Sequence, residues 1–335
     1  MRQSDPPRKW GKQNGGEQPL APYSVCNLAA VNLANMADKA QGTVDWAKLK
    51  RTVAVGVRMQ DNVIDATPYF LEENRKQALG ERRIGLGVMG LHDLLLYCGL
   101  TYGSAEANKL VDKLFETIAT TAYRTSIELA KEKGPFPYLK HGYYGREIGK
   151  KIKKLLENGE KVISEAVGRF GQVTGVINGG HTVCIKLRNG TLGVTTFDSG
   201  DAVYIERQSD KYVIKNIFDE KEMPAKKFVN SGYMRSMPED IRQGVLKHGI
   251  RNSHLLTVAP TGSTGTMIGV STGLEPYFSF KYYRSGRLGK FIEVNADIVE
   301  ELGLDGNNLP DYFVSAMDLT PEQHADTQCV IQRWV

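Results

Sequence analysis

The hydrophobic pattern of this chain changes period twice, and that change limits the possible folds more than any single motif. Up to about residue 139 the apolar residues recur at helical spacing. Asp45 stands where an N-cap belongs, ahead of Leu49, Val53 and Val57 on one face and a continuation towards Ile64. Residues 25–33 read as a short buried strand, and residues 84–100 as an apolar helix rich in glycine. Ser104 opens a long amphipathic helix with Leu110, Leu114 and Ile118 inward, closed by Gly134-Pro135. A basic helical segment over 141–161 follows. Between Gly171 and Phe218 short β-like runs take over, at 182–187, 192–197, 202–206 and 212–218, with turn signals at Arg188-Asn189-Gly190 and Ser209-Asp210. After Ala225 the helical style returns. Pro238 opens a helix that ends near Gly249, and residues 255–259 form an apolar strand. Thr320-Pro321-Glu322-Gln323 is a capping box whose helix is expected to run on to Val335, the pattern of a truncated product. The expectation is an α/β chain with a small antiparallel β module set into it.

Composition narrows the class. With 335 residues, 41% hydrophobic and 24% charged, the chain has the makeup of a globular protein of one large domain or two. A net charge of +5 suits anionic ligands such as nucleotides and does not demand nucleic acid. The cluster Lys150, Lys151, Lys153 and Lys154 reads as a solvated helix face. No apolar run approaches the roughly 18 residues a bilayer span requires, so no membrane association is expected. The polar, Gly/Pro-rich opening 1–16 carries no signal-peptide pattern. Cysteines at 26, 98, 184 and 329 show no C-x-x-C spacing, which argues against structural zinc or a disulfide framework and fits a reducing cytoplasm. Cys98 and Cys329 are expected to pack in the core of helices.

Three motifs bear on chemistry. In Gln13-Asn14-Gly15-Gly16-Glu17, followed by Cys26-Asn27-Leu28, a carboxylate and a thiol share a glycine-rich loop, which are parts for acid–base and redox chemistry. Pro260-Thr261-Gly262-Ser263-Thr264-Gly265 follows an apolar strand. Its glycines admit close approach of an anion, its hydroxyls add donors, and a helix starting there aims free N–H groups at a phosphate. It lacks the lysine of a Walker A loop. Gly85-x-Gly87-x-x-Gly90 fits a dinucleotide fingerprint. The polar stretch before it, Glu81-Arg82-Arg83, is not the apolar strand that fingerprint needs, so close helix packing is the better account and an NAD-dependent oxidoreductase is disfavoured.

The first motif resembles the active-site loop of ribonucleotide reductase large subunits, where Asn-x-Cys-x-Glu precedes Cys-Asn-Leu. Glu17, Cys26, Asn27 and Leu28 match; Gln13 takes the asparagine's place and Gly15 that of the radical-bearing cysteine. The run Ala259–Met267 with Ser271-Thr272-Gly273-Leu274-Glu275-Pro276 resembles the substrate-phosphate loop of the class II, adenosylcobalamin-dependent enzymes. Met59–Asp65, Arg83–Gly90, Leu309–Phe313 and Ile331–Val335 extend the resemblance, which covers roughly 13–139 and 225–335.

That resemblance implies a partial ten-stranded α/β barrel carrying a β-rich insertion. The expected division is an unmatched leader (1–12), a first barrel part (13–140), the insertion (141–224) and a second barrel part (225–335). It implies thiyl-radical reduction of a ribonucleotide, with Glu17 as base for the 3′-hydroxyl and Cys26 as one of a reducing thiol pair. Asn27, Pro260, Thr261, Gly262, Ser263 and Thr264 would bind substrate. It implies adenosylcobalamin as cofactor, a thioredoxin-like reductant, and a complementary N-terminal reductase chain or a homodimer as partner. Gly15 has no side chain to carry a radical, so the fragment is expected to be inactive alone, as if an inserted element had broken the gene at this loop. A non-catalytic nucleotide-binding or regulatory remnant is the alternative.

Overall fold

The structure is a computed structural model that describes residues 18, 20, 23–140, 224–285 and 291–335, and between them the strands of a β module at 163–167, 172–177, 181–188, 191–196, 202–208 and 211–215. Contacts divide the chain into two compact units, Met1–Phe136 with Ser236–Val335, and Pro137–Arg235. Gln13, Gly15 and Glu17 lie outside the described residues, as do the leader 1–12 and the basic segment 141–161.

The first unit is organised on parallel strands. β1 (Asn27–Asn32) pairs in parallel with β2 (Ile84–Met89), from Asn27↔Ile84 to Asn32↔Met89. On the far side of β2 runs the segment around Leu256, through a parallel bridge Leu86↔Leu256. Leu86 N donates to Leu255 O and Thr257 N to Leu86 O. β2 is therefore the central strand, and every residue of it is buried. This corrects the expected helix over 84–100. The run Ile84-Gly85-Leu86-Gly87-Val88-Met89 is apolar throughout because a parallel strand is covered on both faces, a pattern that periodicity alone cannot tell from a buried helix. The helix begins only after Gly90, whose φ of 74° turns the chain into α3 (Leu91–Tyr97), since α1 spans Trp46–Ala66 and α2 Glu72–Glu81.

β1 is less buried than its apolar sequence implied: Val31 is covered, but Leu28 is 57% exposed. A strand with one neighbour offers its other edge and part of a face to whatever lies beside it. The array is open, and among the described residues no barrel closes.

The helices pack on this array. Asp45 Oδ1 accepts from Lys48 N and caps α1, whose Leu49, Val53, Val57 and Ile64 are buried. Ser104 caps α4 (Ala105–Lys133), which ends at Gly134. Leu114 and Ile118 are buried as expected, Leu110 only partly, with Val111 and Phe115 completing the face. α5 (Glu239–His248) lies on α4 so closely that a Cβ at Gly244 would stand 3.0 Å from Ile127 Cδ1. Asp61 of α1, fully buried, accepts from Arg82 Nε at 2.9 Å, Asn252 Nδ2 at 3.0 Å and Arg251 Nε at 3.3 Å, which ties α1 to the amino-terminal ends of two neighbouring parallel strands.

Residues 255–258 lead into α6 (Gly262–Met267). A second apolar cluster gathers Leu96, Phe280, Ile298, Val299 and Phe313, two of them on α7 (Asp297–Glu301); between Phe280 and α7 the chain forms the antiparallel pair β9 (Lys281–Ser285) and β10 (Phe291–Asn295), numbered after the six strands of the module. α8 (Pro321–Gln332) has the full capping box and stops at Gln332, short of Val335. Cys329 on α8 is exposed, contrary to the expected core position. Cys98 sits half-buried at the C-cap of α3, where burial pushes its thiol up to about 11.

The second unit carries a six-stranded antiparallel sheet, β3 (Ile163–Val167), β4 (Gln172–Ile177), β5 (His181–Arg188), β6 (Thr191–Thr196), β7 (Ala202–Gln208) and β8 (Lys211–Lys215), each paired with the next in sequence. Arg188↔Thr191 and Gln208↔Lys211 are the closing pairs at the two turn signals.

Candidate functional site

Two groups of the candidate residues sit on the same parallel array. At the start of β1, Cys26 is half-buried with its Sγ over Gly85: a Cβ built on Gly85 would come within 2.7 Å of it. Asn27 Nδ2 donates to Gln60 O at 3.3 Å, and Gln60 Nε2 returns a bond to Asn27 O at 2.8 Å, so Asn27 is anchored to α1. Gln18 Nε2 donates to Ile84 O and Leu256 O, and its backbone N donates to Thr257 Oγ1. The residue that follows Glu17 in the chain is thus sewn to two adjacent strands. Gln18 carries no motif of its own; its place between Glu17 and the Cys26 motif was the available signal.

At the other end of the array the chain leaves Val258 and makes the loop at 260–264. Thr261 has a left-handed φ of 52°, and its Oγ1 accepts from Gly273 N at 2.8 Å. Gly265 N donates to Thr261 O at 2.7 Å and starts the helical bonding of α6. The N–H groups of Gly262, Ser263 and Thr264 precede that first bond, where a helix leaves its amides without intrahelical partners, and all three residues are exposed. Gly265 and Gly273 are places where backbones touch. A Cβ on Gly265 would lie 2.9 Å from Thr272 Cγ2, and one on Gly273 3.2 Å from Ala259 O.

The stretch from Ser271 to Tyr277 is held by two consecutive buried residues of α3. Asp93 Oδ2 accepts from Ser271 N at 2.8 Å and Ser271 Oγ at 2.6 Å, and Asp93 Oδ1 accepts from Tyr277 Oη at 2.6 Å. Burial raises the Asp93 carboxyl above its usual range, against the pull of those donors. His92 Nδ1 accepts from Tyr277 N at 3.0 Å, which leaves the ring proton on Nε2, buried without a hydrogen-bond partner among the described residues. Burial lowers the His92 pKa to about 3. A polar pair inside Leu91…Leu96 was the missed signal: polar residues in an apolar helix mark something that must be bonded.

Beside this stretch lies a cavity of about 970 Å³, walled by Tyr102, Tyr277, Phe278 and Tyr282 with Glu275 and Asp297, and sharing Gly262 and Thr266 with the loop helix. Among the described residues neither Lys nor Arg lines it. An anion at the loop would be met by backbone N–H groups and the positive end of a short helix, and the aromatic rings of the cavity offer faces for a planar group.

Parallel strands carrying a glycine loop and helix beyond their carboxyl ends place the chain in the α/β class that binds ligands there. A family model described as the ribonucleotide reductase barrel domain matches residues 15–335, and the chain belongs to that family. It is 44% identical over 131 residues to a vitamin B12-dependent ribonucleoside-diphosphate reductase of Mycobacterium tuberculosis, covering 39% of this chain and 19% of that one. It is 38% identical over 140 residues to the protein of that name from Thermoplasma acidophilum, covering 42% of this chain and 18% of that one. A ribonucleoside-diphosphate reductase subunit alpha of Chlamydia pneumoniae is 25% identical over 336 residues, covering 93% of this chain and 26% of that one. The chain thus spans only about a fifth to a quarter of the length of these relatives.

Proposed function

We propose that the chain is the C-terminal portion of the catalytic barrel of a class II ribonucleotide reductase, supplying the substrate-phosphate loop, the proton-accepting carboxylate and one reducing thiol. The observation that carries this reading is the joint placement of Cys26 and the loop at 260–264 on one array, β1–β2–Leu256. In it, Thr261, Gly262, Ser263 and Thr264 bind the phosphate of a ribonucleotide, with Pro260 setting the turn and Asn27 fixing the head of β1. Glu17 takes the 3′-hydroxyl proton. Cys26, with a thiol from outside this chain, supplies the two electrons that replace the 2′-hydroxyl by hydrogen, and the pair becomes a disulfide that a thioredoxin-like protein reduces.

Residues 13–140 and 225–335 are in this reading the two contributions to a ten-stranded barrel, and 141–224 an insertion. The relatives named as vitamin B12-dependent point to adenosylcobalamin for the whole protein, a cofactor that starts radical chemistry at a thiol. Position 15 is glycine, and among the described residues no cysteine lines the cavity. The residues present therefore do not fit that task, and the chemistry assigned to this chain stops at binding, proton transfer and thiol reduction. A complementary N-terminal chain, or a second copy, is the partner this requires.

The test is calorimetric and kinetic. The chain is expected to bind a ribonucleoside diphosphate without turning it over, and to gain turnover with a complementary chain that brings the thiol. Binding with no turnover under any complementation favours the second reading, a nucleotide-binding remnant, which Gly15 motivates. No nucleotide binding at all overturns both.

A further inference from the structure

Gln18 uses every hydrogen-bonding position of its side chain. Nε2 donates to Ile84 O at 3.1 Å and to Leu256 O at 2.6 Å, the carbonyls of two neighbouring strands. Turning the carboxamide over would set its oxygen against those two carbonyls, so the bonding itself fixes which way Oε1 faces. It faces Arg83 Nη1 at 3.2 Å and the Cys26 thiol, whose Sγ lies 3.9 Å from it and 3.9 Å from a second acceptor, Asn27 O. The thiol is seated in the space Gly85 leaves by having no side chain. The backbone N of Gln18 is pinned to Thr257 Oγ1 at 3.0 Å.

We propose that Gln18 is a positioning residue that seats Cys26 at the head of β1 and keeps it as a thiol beside the Arg83 guanidinium. The inference deepens the reading above and rests on it for the redox role of Cys26. An acceptor oxygen facing sulfur favours S–H over the thiolate. A neighbouring guanidinium does the reverse, because it attracts the negative sulfur. Gln18 Oε1 takes a bond from Arg83, and Glu81 Oε2 accepts from Arg83 Nε at 2.9 Å, so the cation is engaged on two sides. Glu81 pairs with Arg83, and His254 feels the charges of both. Gln18 thus holds a reducing thiol in its proton-donating form until a partner sulfur or substrate draws on it.

The experiment reads the rate of Cys26 alkylation by iodoacetamide against pH on the full chain. Peptide mass spectrometry separates Cys26 from Cys98, Cys184 and Cys329. Gln18→Glu keeps the shape but brings a negative charge beside the sulfur. It is expected to raise the midpoint by about one pH unit, slowing alkylation at neutral pH about tenfold. Gln18→Met removes the acceptor and uncaps Arg83, and should lower the midpoint, while the rate at exposed Cys329 stays as it was. Midpoints for both variants indistinguishable from the parent, with far-UV dichroism unchanged, would overturn the proposal. Gln18→Glu sets an oxygen against the Ile84 and Leu256 carbonyls, so where either variant fails to fold, Gln18→Asn, which keeps an amide but withdraws the acceptor from the sulfur, decides: a midpoint unchanged from the parent's sinks the proposal. Absence of complemented turnover in the parent chain would remove the reductase reading yet leave a shifted Gln18→Glu midpoint standing as evidence for the positioning role.

Discussion

Gly87 has a carbonyl oxygen where a side chain would go. A Cβ there would fall 2.3 Å from Thr257 O, whereas at Gly85 it would meet side-chain atoms of Thr257, Cys26 and Leu28 at 2.5–2.8 Å. Side chains can rotate away and a strand backbone cannot, so Gly87→Ala should destabilise more than Gly85→Ala. Overpacking of the second kind costs about 1–3 kcal/mol, and urea unfolding of both variants should rank Gly87→Ala beyond it. The same residue scale predicts a pH dependence. His92 stays neutral in the fold down to about pH 3, while in the unfolded chain it takes a proton near pH 6.5. The unfolded state therefore binds more protons between those values, and stability falls as pH drops through that window, by about 1.4 kcal/mol per pH unit from this group. His92→Asn, which retains an acceptor for Tyr277 N, should flatten that slope in denaturation midpoints measured from pH 7 to pH 4.

At the scale of elements, the caps were readable and the strand was not. Asp45, Ser104 and Thr320 each accept the backbone bond that their position implied. Capping is local, involving residues within three or four positions, so a sequence carries it whole. Thr320→Ala removes the bond from Gln323 N and should cost about 1 kcal/mol, measurable as a lower midpoint for loss of α8 helicity. Residues 84–89 are the opposite case. Their glycines exist for contacts with residues 26 and 257, and nothing within the segment announces those partners. Pro238 shows the intermediate case: it is the N-cap of α5 rather than its first helical residue, a boundary difference of one position.

For the whole molecule, what matters is the edges. β1 pairs only with β2 among the described strands, and Leu28 is largely exposed beside it. Open parallel edges recruit other chains. The isolated chain is therefore expected to self-associate at micromolar concentration in sedimentation velocity, and a complementary chain that covers the edge should reduce that association. A monodisperse, cooperatively unfolding monomer would contradict this. Among the described residues no helix is long and apolar enough to cross a membrane.

The candidate site divides along the same line. The glycine loop at 260–264, the Cys-Asn-Leu motif and the family they indicate were legible because they are contiguous runs whose chemistry sits in the residues themselves. The contacts of Gln18, His92 and Asp93 around the candidate site were not legible. Their meaning lies in partners up to 239 positions away: Thr257 for Gln18, Tyr277 for His92, Ser271 for Asp93. Sequence by itself determined helix caps, turn positions, the β-rich stretch and the family, all of which depend on near neighbours or on contiguous motifs. Only the tertiary structure decided that 84–89 is the central strand, that its glycines seat a thiol and a neighbouring backbone, and that one glutamine joins two strands to Cys26. Those are long-range contacts, and a chain states them only when it closes on itself.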